Sequence, residues 1–253
     1  YMIENILYIN LTHRADRRNK MNQQLSKYSI PIHRIEAIYG LELQDPEYNS
    51  HIMKSLDLPE VSIDYWKSRK NFALMDFKIT SILPRVGCFL SHYRALKYIV
   101  DNKLNNVLIL EDDAELLPSF SLDVEIPPDS FLTYLGYSIP KNITYELKNQ
   151  YEKIDFDRIK IYGAFAYYIY SWENCKLIMN LMKSVFKDGK GRDKGVDLLT
   201  GNHRIRARSY DLWLRNIFHR YSICYMKKNP TITHSSQGSD ISTVYTSNMK
   251  FNL

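Results

Sequence analysis

The sequence predicts an α/β fold whose sheet contains parallel strands, and three observations predict it. A strand, a helix and a second strand fit within the first 40 residues, an apolar strand near residue 110 stops on three successive carboxylates, and a strand followed by a helix recurs after residue 160. A β-α-β unit of that length joins its strands in parallel, through the right-handed crossover that twisted strands impose. Ligands of such sheets gather beyond the carboxyl ends of the strands, so candidate functional residues are sought there.

Residues 3–11 hold an apolar run that stops at Asn10, and residues 14–28 read as a helix because Met21, Leu25 and Tyr28 recur at helical spacing. Residues 32–38 supply the second strand, ended by Gly40. Residues 41–83 mix periodicities around Pro46, Pro59 and Trp66 and read as an insertion or an acceptor-side lobe, with a helix at 63–70 as its one expected element. In residues 86–102, Phe89, Leu90, Tyr93, Leu96 and Val100 mark one stripe of a helix. Residues 106–110 follow as a buried parallel strand, four apolar residues after a polar turn, as burial on both faces requires.

Prolines 118, 127 and 128 punctuate the stretch before a strand at 131–137, and the polar residues 141–157 read as loop. Residues 162–170 are a further strand and 173–186 a helix with Leu177, Ile178, Leu181 and Met182 inward. Ser209 is a plausible N-cap for a helix at 210–220, and 222–226 form the last strand before Asn229-Pro230. Residues 1–241 are therefore expected to form one domain and 242–253 a peripheral tail.

Composition bounds the function. With 45% apolar and 25% charged residues, the 253-residue chain has the make-up of a globular protein able to bury a sizeable core. No run of eighteen apolar residues or signal-like leader occurs, so a soluble cytoplasmic protein is expected. The bias to Tyr, Asn, Ile and Lys is that of an AT-rich genome, whether of a bacterium or of a virus in its host cell. Cys88, Cys175 and Cys224 form no CxxC pair and no disulfide framework, and read as reduced thiols. The net charge of +6 favours an anionic partner: a nucleotide, an acidic glycan, a membrane surface touched peripherally, or nucleic acid. Arg192, Lys194, Arg204, Arg206 and Arg208 concentrate that charge, as a solvated loop or as an anion site. No nucleic-acid-binding motif accompanies it, and nucleic acid is not expected as a partner.

Glu111-Asp112-Asp113 is the sharpest feature. Three carboxylates at a partly dry strand end repel one another unless a hard divalent cation, such as magnesium or manganese, offsets them. Alternation puts Glu111 and Asp113 on one face and Asp112 on the other, so two carboxylates converge and Asp112 supports them. A cation held there can bridge the phosphates of a nucleotide-sugar and neutralise the departing diphosphate. The same triplet also reads as a solvated turn with helix-capping acids, and by itself it leaves both readings open.

Tyr8-Ile9-Asn10-Leu11 with Arg14, Asp16, Arg17 and Arg18, then Arg34-Ile35-Glu36-Ala37, then Gly87-Cys88-Phe89-Leu90-Ser91-His92, then Leu108-Ile109-Leu110-Glu111-Asp112-Asp113, together resemble glycosyltransferase family 25. Tyr162-Gly163, Asp211-Leu212-Trp213 and Ser239-Asp240-Ile241 fall in the same order, so the resemblance runs from about residue 6 to residue 241. It implies a GT-A fold, a single α/β/α domain with a mainly parallel central sheet. It also implies a UDP-sugar donor, manganese, inversion at the anomeric carbon, and a glycan or hydroxylated protein as acceptor. Glu111 and Asp113 then match the outer carboxylates of a DXD-type motif, from which this chain departs by placing Glu first, and His234 becomes a candidate third metal ligand.

In that light backbone groups at Asn10 and Leu11 can hold the nucleobase, Arg14 and Arg17 can meet phosphate, and Glu36 can accept from ribose hydroxyls. Ser91 and Asp112 fall in the donor pocket, and His92 is read as shaping it. Asp211, at a helix start, is the expected base for the acceptor hydroxyl, with Asp240 and Asp197 as runners-up. Arg14, Arg17 and Glu36 also fit ordinary surface roles, and Asp211 also fits a helix-dipole acid. The departure at Glu111 leaves room for a second class, a non-catalytic relative that keeps the fold as a sugar-nucleotide-binding or scaffolding module.

Overall fold

The computed structural model describes residues 2–59, 83–138, 149–154, 161–184, 214 and 224–235. The expected helices at 63–70 and 210–220, the basic stretch at 192–208, Asp197, Asp211, Asp240 and the tail lie outside them, Leu214 excepted.

The chain opens as expected, with β1 (Asn5–Asn10), α1 (Ala15–Leu25) and β2 (Ile32–Glu36). A 3-10 turn (Gly40–Gln44) leads to α2 (Pro46–Ser55), and α3 (Leu83–Asp101) precedes β3 (Val107–Glu111). Next come β4 (Ala114–Leu116), β5 (Leu132–Ser138), β6 (Tyr151–Lys153), β7 (Tyr162–Ile169) and α4 (Trp172–Ser184). The last two strands are β8 (Cys224–Lys227) and β9 (Ile232–His234).

Four elements correct the sequence reading. Strands β4 and β9 lie where no strand was expected, so the strand at 222–226 is not the last. Part of the expected loop at 141–157 is strand β6, which pairs with β8 antiparallel. Helix α2 lies in a stretch where no helix was expected. Asp45 caps it by accepting from the backbone N–H groups of Glu47 and Tyr48 at 2.8 and 3.1 Å, and Pro46 sits in its first turn.

The central sheet has seven strands in the order β2-β1-β3-β7-β5-β8-β6. Strands β1, β2 and β3 are mutually parallel, β7 runs against β3 and β5, and β8 runs parallel to β5. With β6 reversed, five of the seven strands share one direction. Helix α1 covers one face, where Met21 and Leu25 pack with Ile6, Tyr8, Leu108 and Leu110. Helices α3 and α4 cover the other, where Phe89, Tyr93, Leu96 and Ile178 pack with Leu7 and Ile109. Alternation along β1 and β3 assigns odd and even residues to opposite faces, and the result is a three-layer α/β/α domain.

A separate two-stranded sheet pairs β4 with β9 antiparallel, with Ala114 opposite His234. This pairing carries a late segment back to the acidic turn. No helix among the described residues is long and apolar enough to cross a membrane.

Candidate active site

A cleft opens at the carboxyl ends of β1, β2 and β3. Leu11, the loop from Ala37 to Gly40, the first half of α3 and the turn Glu111-Asp112-Asp113 line it. Two glycines let loop and helix touch. A Cβ on Gly40 would overlap the Leu83 carbonyl and lie 2.7 Å from the Pro84 Cα, and one on Gly87 would lie 2.6 Å from both the Gly40 nitrogen and the Ile38 oxygen. Ser91 fastens the contact: its buried hydroxyl accepts from the Ile38 N–H at 2.8 Å and donates to the Gly87 carbonyl at 2.6 Å. Tyr39 stands at the rim, edge-on to His13 with ring centroids 4.9 Å apart.

The three carboxylates of the turn have three different surroundings. Glu111 continues the β3 alternation onto the α3 face, where its Oε1 lies 3.1 Å from His92 Nε2. His92 is buried, and its Nδ1 lies 2.9 Å from the Tyr167 hydroxyl. An ionised Glu111 places the proton on Nε2 and leaves Nδ1 to accept from Tyr167.

Asp112 falls on the α1 face. Arg17 Nη1 donates to its Oδ1 at 2.8 Å and Asn10 Nδ2 to its Oδ2 at 2.7 Å, with the Arg17 and Asp112 side chains each 10% exposed. Asp113 turns inward, with Oδ1 buried and without a hydrogen-bond partner among the described residues. Burial and the neighbouring Glu111 push its carboxyl up to about 7, Asp112 adds to the rise, and Arg17 and His234 offset it only in part.

The other expected residues separate into those at the cleft and those beside it. Leu11, Arg17, Ser91, Glu111, Asp112 and Asp113 line it. Asn10 does not: it is fully buried, its carbonyl accepts from the Ala37 N–H at 3.0 Å and its side-chain oxygen accepts from Arg34 at 3.0 Å. It therefore organises the strand end, leaving Leu11 to face the cleft. Arg14 pairs with Asp16 at 2.9 Å, and Glu36 accepts from the Thr12 hydroxyl at 2.7 Å, both outside the lining.

Arg17 reaches the cleft already committed to Asp112, so that pair acts first as a buried clamp between α1 and β3. His234 borders the turn through the β4–β9 pairing, and its ring packs edge-on to Phe165 at 5.1 Å. Glu111, Asp113 and His234 do not form the tightest ligand cluster. Among the described residues, the metal-binding side chains that approach within 4.8 Å of one another are Cys88, His92 and Glu111, because Glu111 leans toward α3.

Sequence reasoning missed Arg34, Cys88 and Tyr167 as members of this region. Cys88 and His92 stand four apart on one helix, a spacing that signals a shared face. Arg34 and Tyr167 have no such spacing to a site residue, and the strand order brings them to the site.

The model of glycosyltransferase family 25 (LPS biosynthesis protein) matches residues 3–187. Human procollagen galactosyltransferase 2 is 32% identical over 117 residues, 46% of this chain and 17% of that protein. A glycosyltransferase 25 family member of Aedes aegypti is 30% identical over 118 residues, 47% of this chain and 17% of that protein. Procollagen galactosyltransferase 1-B of Xenopus laevis is 30% identical over 141 residues, 53% of this chain and 21% of that protein. The chain thus spans about a fifth or less of the length of these relatives. Among solved structures, a CTP:phosphocholine cytidylyltransferase from Streptococcus pneumoniae matches with a TM-score of 0.35 and 12% identity over 93% of this chain and 94% of that one, a likeness too low to carry an argument. With its motifs in order and the family model covering most of its length, the chain belongs to glycosyltransferase family 25.

Proposed function

We propose that the protein transfers a hexose, galactose or glucose, from a UDP-sugar to a hydroxyl of a glycan or of a hydroxylated protein side chain, with inversion and with a manganese or magnesium ion. One observation carries the reading. Asp113 keeps a buried carboxyl oxygen without a hydrogen-bond partner among the described residues, beside Glu111 and Asp112, and such excess negative potential fits a divalent cation. Glu111 and Asp113 would hold that cation, with His234 as the third protein ligand. Bound there, the ion would supply positive charge to the diphosphate as it leaves.

The chain's own groups do the rest. Leu11 and the Ala37–Gly40 loop border the space for the nucleoside, and Arg17, fixed by Asp112, presents its guanidinium beside the diphosphate. Ser91 holds the cleft wall by tying α3 to the loop. Asp211 takes the proton of the acceptor hydroxyl as that oxygen bonds to the anomeric carbon and the bond to the diphosphate breaks, so UDP leaves from the opposite face. The family description, the galactosyltransferase names of the relatives and the net charge of +6 support a UDP-sugar donor and an anionic or glycan-bearing partner.

The test is UDP release from a panel of UDP-sugars with manganese, in the wild type and in Asp113→Ala. The expected result is turnover with one hexose donor that drops more than about a hundredfold in the variant. Equal turnover in both proteins would overturn the role of the cation.

A further inference from the structure

We propose that Cys88, His92 and Glu111 form a zinc site on the wall of the cleft, next to the Asp113-centred cation site and sharing Glu111 with it. The three ligand atoms, one sulfur, one imidazole nitrogen and one carboxylate oxygen, lie within 4.8 Å of one another. Ligands around a tetrahedral zinc ion are about 3.3–3.8 Å apart, given zinc–ligand bonds of about 2.0–2.3 Å. His92 Nε2 and Glu111 Oε1 are already 3.1 Å apart. The longest separation, one that involves Cys88, has to shorten by at most about 1 Å.

Cys88 and His92 are one helical turn apart on α3, so a single rigid element presents two of the ligands. The third comes from the last residue of β3, the strand whose neighbour β7 supplies Tyr167. The Tyr167 hydroxyl, 2.9 Å from His92 Nδ1, is the kind of outer partner that orients a metal-binding imidazole. On zinc binding the Cys88 thiol gives up its proton, and the imidazole proton sits on Nδ1 and points to Tyr167, freeing the Nε2 lone pair for the ion.

The donor set selects the metal. A thiolate and an imidazole favour zinc over manganese or magnesium, whereas the all-oxygen pair Glu111 and Asp113 has the opposite preference. Cys88, His92 and Glu111 all line the cleft, so a fourth position is open to water. This inference does not depend on the sugar-transfer reading, since it concerns metal binding by the chain alone.

Cobalt titration of the full, donor-free chain tests it. The site predicts one cobalt ion per chain, a thiolate-to-cobalt charge-transfer band, tetrahedral visible absorption, and displacement by one equivalent of zinc. Cys175 and Cys224 are fully buried, so Cys88 is the thiol placed to give the band. Cys88→Ser and Cys88→Ala, checked for folding by circular dichroism, should each lose the band and bind zinc more than about tenfold more weakly. Absence of the band in the wild type, or its persistence in both folded variants, would overturn the proposal.

Discussion

Replacing Asp112 by alanine should damage the fold more than any other single change in the acidic turn. The substitution removes the partner of Arg17 at 2.8 Å, where both side chains are 10% exposed, and strips the Asn10 amide of its 2.7 Å acceptor. Asn10 Nδ2 retains the Arg14 carbonyl at 3.1 Å, so the dominant loss is the buried ion pair between Arg17 and Asp112. Breaking a buried pair from one side costs about 3–5 kcal/mol. For a chain of this size each kcal/mol moves the melting temperature by about 2–4 °C, so the expected drop is on the order of 10 °C. Asp101, whose side chain is 55% exposed in its pair with Lys97, is the control, and Asp101→Ala should cost less than about 0.5 kcal/mol. The assay is urea unfolding of Asp112→Ala, Arg17→Ala and the double variant. Because both substitutions remove the same interaction, the double should cost less than the sum of the singles. Additive costs, or an Asp112→Ala midpoint equal to wild type, would refute the clamp.

Three further outcomes follow from the same geometry. Gly40→Ala should lower stability by about 3 kcal/mol in urea unfolding, because the new methyl group meets backbone atoms of Leu83 and Pro84 that cannot rotate away. Ser91→Ala should cost about 1–3 kcal/mol and speed hydrogen exchange at the Ile38 amide, which loses its buried acceptor. The third concerns pH. Burial and Glu111 raise the Asp113 carboxyl from the ordinary 3.8 to about 7, with Asp112 adding and Arg17 and His234 opposing. The folded, metal-free chain therefore holds a proton that the unfolded chain has released. Its contribution is fully present below about pH 4 and is lost as pH rises to about 7, so this group makes stability fall across that window by up to a few kcal/mol. Asp113→Asn should flatten that fall in unfolding experiments run with a chelator.

Much of this was legible in the sequence because periodicity and apolar runs are local signals. Met21 and Leu25 marked the buried face of α1, the stripe from Phe89 to Leu96 marked α3, and the run before Glu111 marked β3. Alternation placed Glu111 and Asp112 on opposite faces, and they do lie against α3 and α1 respectively. Helix α2 was also readable, since Asp45-Pro46 is an N-cap and first-turn signal, but its apolar residues are sparse and the mixed periodicity around it hid the helix. What was not legible depends on pairing across long separations. Asn10 looked like a nucleobase contact until its partners Asp112, Arg34 and Ala37 were known. The Arg17–Asp112 pair spans 95 positions, and the antiparallel insertion of β7 between β3 and β5 is what brings Tyr167 to His92. No spacing rule encodes such contacts; strand order does.

Glu111 and Asp113, rather than Asp112, are proposed to hold the donor's cation. Manganese binding followed by electron paramagnetic resonance in the presence of UDP tests it most directly. The wild type should bind one manganese ion per chain, and Asp113→Asn, which keeps the shape of the side chain but not its charge, should weaken that binding more than about tenfold, equivalent to about 1.4 kcal/mol. Unchanged manganese affinity in a folded Asp113→Asn protein would contradict the account.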